Sequence, residues 1–379
     1  MLNRELMKKI KAEILKRNIT NRIEKQLSEN RFSGASAAVY QDGECIFKGC
    51  FGNADEHTLY RIASMTKPIT AVAALKAFEE KQISLDTEIT EFLSGFKHLS
   101  IGEKIGSKIV PVRKAVSVPT VKSLLSHSSG IGCGEIGWLQ TDNFPFDKFT
   151  SLKDLVEAES HILLSFEPFT NACYSPIASF DVAARIVEIV TGKDYGAWLN
   201  DNILKPLEMT DTTFVPSDSQ WNRLAKMHIY GEEKGLSDPM KKGCVYESVP
   251  AVCHCAGAGL ISSLADYSKF ALMLSNDGVY DGKRILSRQS VVEMSTPQPP
   301  LAGREIPEYW GLGVRVTSKY NNYLPEMCFG WSGAYGTHFW VDKANKIVAV
   351  YMKNSRFDGG SEASTARDFE FDVMNSLEN

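Results

Sequence analysis

Apolar and polar positions change their period several times along this 379-residue chain. The opening stretch MLNRELMKKIKAEILKRN mixes charges with apolar residues at helical spacing and predicts a surface helix. Ser36 to Tyr40 and Cys45 to Lys48 are short β-prone runs around Asp42-Gly43, a dipeptide that favours a tight hairpin turn. From Met65 to Lys81 the apolar residues Ile69, Val72, Ala73, Leu75 and Phe78 recur at helical spacing and give way to Glu79-Glu80-Lys81, which predicts one long, largely buried helix. Residues 96–118, rich in Lys, Gly and β-branched residues, fit either a loop or an extra hairpin. Residues 119–230 read mainly as helices, among them Val121 to Ser126, stopped near Gly130, and Ile177 to Thr191, stopped at Gly192. Residues 231–258 look like loop, and Leu264 to Leu274 is again helical. Strands return at Gly313 to Val316, Thr337 to Val341 and Ile347 to Lys353, before a last helix over about 361–377. Strand runs at both ends around a helical middle predict an α+β fold. One antiparallel sheet is built from both termini, with flanking helices and an inserted helical lobe, and a cleft between sheet and lobe is the natural site.

Composition narrows the function. With 43% hydrophobic and 23% charged residues, the chain has an ordinary globular balance, and its length suits two domains or one large fold with an inserted lobe. Forty-two Lys and Arg against 46 Asp and Glu give a net charge of −4 without a basic block, which argues against a nucleic-acid partner. No run reaches the roughly 18 apolar residues of a membrane helix, so no membrane partner is expected. The N-terminus lacks the continuous apolar core of a secretory signal, and the expected location is cytoplasmic. The eight cysteines read as reduced, mostly buried thiols. Cys253-His254-Cys255 lacks the second, loop-spaced ligand pair of a zinc site, so no metal is assigned.

A serine hydrolase of the nucleophile-elbow type needs Gly-x-Ser-x-Gly, and the nearest approach, Gly330-Trp331-Ser332-Gly333-Ala334, fails at its last position. Gly132, Gly134 and Gly137 spell a Gly-x-Gly-x-x-Gly, but it follows a helical run instead of a strand and reads as a loop. The informative pattern is Ser64-Met65-Thr66-Lys67 at the head of the long predicted helix. A spacing of three puts both side chains on one helix face, so a lysine amine can take the serine proton. The helix N-terminus adds backbone N–H groups near a developing oxyanion. A second copy, Ser94-Gly95-Phe96-Lys97, lies in a polar, Gly-containing stretch and is read as structural.

The segments SMTKPITAVAALKAFEEKQISLD, VKSLLSHSSGI, CYSPIASFDVAARIVEIVTGKDY with LKPLEMTDT, AGAGLISSLADYSKF and GWSGAYGTHFWVD occur in that order. Together they resemble the serine β-lactamase and penicillin-binding-protein superfamily, and within it the class C β-lactamase-like branch and its esterases. The resemblance runs from about residue 32 to the C-terminus. It implies a β-lactamase-like domain over 31–379, with a sheet part at about 31–60 and 305–379 and a helical lobe at about 61–304. Residues 1–30 form a helical extension, either a dimer contact or a helix packed on the sheet, and oligomeric state stays open. The resemblance further implies that Ser64 is the nucleophile, Lys67 its base and Tyr174 the proton shuttle to the leaving group. A phenol acts as a base only beside a cation that stabilises its anion, and Lys67 would be that cation. The backbone N–H groups of Ser64 and Ala334 would form the oxyanion hole, and Trp331, Ser332, Gly333 and Pro176 would border the substrate. His127 and His338 read as structural.

Two positions depart from members that act on β-lactams. Pro176 stands where they carry an asparagine, and Trp331 where they carry a lysine or histidine. Proline offers no amide to a substrate's acylamino group, and tryptophan no cation to a carboxylate. The sequence therefore implies a serine hydrolase working through a Ser64 acyl-enzyme on a small-molecule substrate, with an esterase-like preference for neutral carboxylic esters or lactones and no cofactor. β-Lactamase or D,D-peptidase activity on amides and β-lactams is one alternative. A penicillin-binding or sensor protein that acylates without turnover is another.

Overall fold

The computed structural model describes residues 8–142, 144–229, 243–360 and 362–378. Its centre is a seven-stranded antiparallel sheet built from two ends of the chain. In chain order the strands are β1 (Gly34–Gln41), β2 (Glu44–Gly52), β3 (Glu308–Trp310), β4 (Arg315–Thr317), β5 (Phe329–Ser332), β6 (His338–Asp342) and β7 (Ile347–Lys353). They lie side by side as β3-β4-β5-β6-β7-β1-β2. The seam between the two ends is the β1–β7 pairing, in which Ala38 lies opposite Val350. Asp42 and Gly43 both take positive φ and close the β1–β2 hairpin as expected.

Helices cover both faces of the sheet, which explains why β7 reads as an unbroken apolar run. All seven of its residues are buried. Val348, Val350 and Met352 join one core, and Ile347, Ala349 and Tyr351 join another on the opposite face. The second core is closed by α1 (Ala12–Ser28), through Leu15, Ile19 and Ile23, and by the C-terminal helix Ser364–Met374, through Phe369 and Val373. The N-terminal helix thus packs on the sheet.

The first core faces α2 (Thr66–Lys81), α3 (Leu152–Glu159), α4 (Ala178–Thr191) and α5 (Leu264–Ser275). Helix α2 is buried from Thr66 to Leu75 and ends at Gln82 in the left-handed conformation; α4 ends at Gly192, with φ 69°. The lobe is not cleanly separate from the sheet. Leu59–Arg61 pairs with Ile261–Ser263, and α5 packs on β6 and β7, because its apolar face completes the sheet's inner cover. Residues 96–118 form a two-stranded hairpin, Ser100–Ile105 with Lys108–Lys114. In the predicted loop 231–258, residues 231–242 lie outside the described ones, and the remainder holds a short pairing of Cys244–Tyr246 with Val249–Pro250. Among the described residues, no helix is long and apolar enough to cross a membrane.

Candidate active site

Ser64 sits in a single 3-10 turn, Ala63–Met65, that leads into α2. Ala63 is held at φ 44°, an unfavourable conformation for a residue with a Cβ, and this turns the Ser64 side chain from the strand Leu59–Arg61 toward the cleft. The spacing of three does what helix geometry requires, and Lys67 Nζ donates to Ser64 Oγ at 3.2 Å. The same amine donates to the carbonyl oxygens of Pro176 (2.5 Å) and Gly257 (2.8 Å). A neutral amine has two N–H donors, and two fixed carbonyls take both, leaving its lone pair aimed at Ser64. When the amine is charged, its third proton lies on the same line. Lys67 is fully buried, and Ser64 is 8% exposed.

Tyr174 donates its hydroxyl to Ser64 Oγ at 2.6 Å, and Lys67 Nζ stands 4.8 Å from the centre of the tyrosine ring. The three residues singled out for acyl transfer therefore converge on one oxygen. Three rings frame Tyr174: Trp310 stacked at 5.8 Å, Trp331 at 5.4 Å and His127 at 4.9 Å between ring centres. His127 accepts the Ser175 N–H on Nδ1 at 3.1 Å. Burial, with the nearby Lys67 charge, holds its pKa well below the usual histidine value, so the ring is a neutral support for the loop that carries Tyr174. Trp310, on the neighbouring end of the sheet, was not among the residues singled out, and no motif marks it.

The β5–β6 turn lies against the nucleophile's turn. Thr337 donates to the Ile62 carbonyl at 3.0 Å, and a Cβ on Gly333 would come within 2.3 Å of that same oxygen, so only glycine fits there. Among the described residues, the Ala334 N–H donates to no group, and Ala334 is exposed, which leaves the amide free to serve as an oxyanion donor. Trp331 is buried against the inner core. Ser332 requires a correction. Strand alternation turns its side chain away from the cleft to the outer face, where its hydroxyl meets His338 Nδ1 at 2.7 Å; the other ring nitrogen lies 3.0 Å from Glu370 of the C-terminal helix. Pro176 does border the cleft, but it contributes a carbonyl to Lys67 as well as a surface.

Gly257 was not foreseen as a site residue. Its role is carried by a backbone oxygen, and only the doubled glycine of Ala256-Gly257-Ala258-Gly259 hints at it. A Cβ there would meet Ile177 Cα at 2.6 Å. The loop is pinned by Thr70, which donates to the Ala256 carbonyl at 2.8 Å and accepts the Tyr195 hydroxyl at 2.9 Å.

Beside Pro176 opens a cavity of about 400 Å³ walled by Trp138, Phe144, Phe146, Ile177 and Tyr246, with Asp142 and Glu247 also in its lining. A shallower hollow lined by Trp138, Leu139, Cys173 and Tyr174 shares its wall and carries the apolar surface up to the tyrosine. The other flagged patterns lie elsewhere. Ser94 and Lys97 are exposed on a 3-10 turn. Gly137 packs so closely on Gly132 that a Cβ would overlap its carbonyl carbon, so those glycines serve chain packing. Cys253 and Cys255 are buried in an apolar cluster with Leu155 and Val249, while His254 packs on Phe214.

A sequence model of the β-lactamase family matches residues 19–370. Protein Rv1367c of Mycobacterium tuberculosis is 28% identical over 349 residues, covering 84% of this chain and 85% of its own. Esterase EstB of Burkholderia gladioli is 25% identical over 385 residues, covering 88% and 89%. Among solved structures, EstCE1, described as a hydrolase with promiscuous acyltransferase activity, superposes with a TM-score of 0.77 at 19% identity, over 96% of this chain and 99% of that one, a likeness of fold. With a family match spanning nearly its whole length, this chain belongs to the β-lactamase family.

Proposed function

We propose that this protein is a serine hydrolase that cleaves neutral carboxylic esters through an acyl-enzyme on Ser64. The observation that carries the reading is the convergence of Lys67 Nζ and the Tyr174 hydroxyl on Ser64 Oγ. Ser64 Oγ attacks the acyl carbon and gives its proton to the Lys67–Tyr174 pair. The carbonyl oxygen becomes an anion held by the N–H groups of Ser64 and Ala334. Tyr174 then protonates the departing alkoxide and the ester C–O bond breaks; water, deprotonated by the same pair, attacks the acyl carbon, the acyl–Oγ bond breaks, and the pair returns that proton to Ser64 as the acid leaves.

Substrate preference follows from the walls. Trp331 stands where a cation would hold a substrate carboxylate, and the adjoining aromatic cavity is lined by Asp142 and by Glu247, whose charge is paired with Arg356 at 3.0 Å. An uncharged ester with an apolar acyl or alcohol group suits that cavity; an anionic β-lactam gains no partner for its charge from Trp331. EstB, similar over most of the chain, is named an esterase, which supports the same reading. The test is to follow p-nitrophenyl ester hydrolysis and penicillin hydrolysis side by side, in the wild type and in Ser64→Ala. Ester turnover that disappears in the variant, with little penicillin turnover, is the expected result. Penicillin turnover exceeding ester turnover, or a long-lived penicillin adduct without ester turnover, would replace the reading with one of the β-lactam alternatives.

A further inference from the structure

Behind Lys67 lie two acidic side chains to which the reaction assigns no role. Glu159 ends α3 and Asp181 sits in the first turn of α4; neither is exposed to solvent at all. Asp181 Oδ1 accepts the backbone N–H groups of Ala256 (2.5 Å) and Gly257 (3.3 Å). Among the described residues, its other oxygen and both oxygens of Glu159 have no N–H or O–H partner, which is costly for three buried acceptors. The helices that carry them, α3 and α4, pack on each other and bring the two carboxyls side by side. Two adjacent buried carboxylates cannot both stay charged, and a single shared proton joins two of the three orphaned oxygens.

We infer that Glu159 and Asp181 form an acid–carboxylate pair that shares one proton and positions Lys67 for its work on Ser64. Glu159 keeps the proton and donates it to Asp181 Oδ2, because Asp181 alone has amide donors that favour its charged form. The Asp181 anion fixes the Ala256–Gly257 amides, the Gly257 carbonyl fixes Lys67 Nζ, and Lys67 addresses Ser64. The pair carries one negative charge opposite the Lys67 amine. Burial raises Glu159 well above the usual carboxyl range, and the neighbouring Asp181 charge adds to it. Burial likewise raises Asp181, to about 7, against the pull of the two amides and Lys67. The other titratable groups facing the pair are neutral, since burial pushes the Cys253 and Cys255 thiols and the Tyr195 phenol up. As pH falls through the Asp181 value the anion is lost, and with it the hold on Lys67, so the acid limb of kcat belongs to the pair.

This positioning role rests on the acyl-enzyme reading, whereas the shared proton does not, and the two fail separately. In infrared spectra taken well on the alkaline side of the Asp181 value of about 7, wild type and Ser64→Ala should both show the C=O stretch of a buried protonated carboxyl, and Glu159→Gln should lack it. In kinetics, Glu159→Leu removes the donor to Asp181. It should lower kcat about tenfold or more with KM little changed and move the acid limb to higher pH. Glu159→Gln, whose amide N–H replaces the acid O–H, should restore both relative to Glu159→Leu. Absence of the band in the wild type would overturn the pair, and so would a Gln variant as impaired as the Leu variant. Loss of Ser64-dependent turnover with the band still present would instead overturn the acyl-enzyme reading.

Discussion

Ser64 Oγ receives hydrogen bonds from Tyr174 and Lys67, and Lys67 is held in turn by carbonyls from two separate loops. Tyr174→Phe removes one partner while leaving the ring among Trp310, Trp331 and His127. It should therefore lower kcat for esters by about 10²- to 10⁴-fold with little change in thermal midpoint. A Phe variant at full kcat would show that the phenol moves no proton. Ser64, Lys67 and Tyr174 were legible in the sequence because a spacing of three at a helix head is a geometric statement and because the flanking motifs occur in order. Gly257 was not legible, since its contribution is a carbonyl oxygen that every residue type possesses. Asp181 carried a faint signal, an acid between Phe180 and Val182 in a mostly apolar helix. Ser332 was misassigned because alternation along β5 sends neighbouring side chains to opposite faces, and the motif does not say which face is the cleft.

At the scale of elements, the site is the meeting of three turns: the 3-10 turn before α2, the loop into α4 and the Ala256–Gly259 loop. Their mutual fit is tight, which makes Gly257→Ala a direct probe. The added Cβ collides with backbone at Ile177 Cα, 2.6 Å away, so one loop must shift and draw its carbonyl off Lys67. The variant should lose about 1–3 kcal/mol of stability, read from the urea midpoint, together with a fall in kcat. Wild-type values for both would mean that the loop has slack. The long, periodic elements were readable to within a few residues. Helix α2 was expected from Met65 and begins at Thr66, and β7 was expected over Ile347 to Lys353, as it stands. The 96–118 hairpin stayed ambiguous because its exposed positions mix charged residues with Ile105 and Val112, and its burial follows no period of two.

For the molecule as a whole, one sheet separates two cores, and the outer core is tied to the third motif through buried charge. Arg315 of β4 pairs with Glu370, which also meets His338, and His338 meets Ser332 directly behind Trp331. Burial alone would raise the Glu370 carboxyl, but Arg315, His338 and Arg367 outweigh it and bring it to about 2 from an ordinary 4.5. A depressed carboxyl stabilises the fold fully above its unfolded value. Stability should therefore decline as pH drops from about 4.5 toward 2, and Glu370→Gln should flatten that decline while lowering stability at neutral pH. Identical acid unfolding curves for both proteins would contradict this coupling. The two-ended sheet was foreseeable from strand runs at both termini, but the packing of α5 on the sheet was not, because an apolar helix face does not name its partner. The central claim is that Ser64 becomes acylated with help from Lys67 and Tyr174. Its most direct measurement is intact mass and peptide mapping after treatment with a fluorophosphonate. One adduct on Ser64, absent in Ser64→Ala and slowed in Tyr174→Phe, is the predicted result; an unmodified wild type, or an adduct at another residue, would contradict the account.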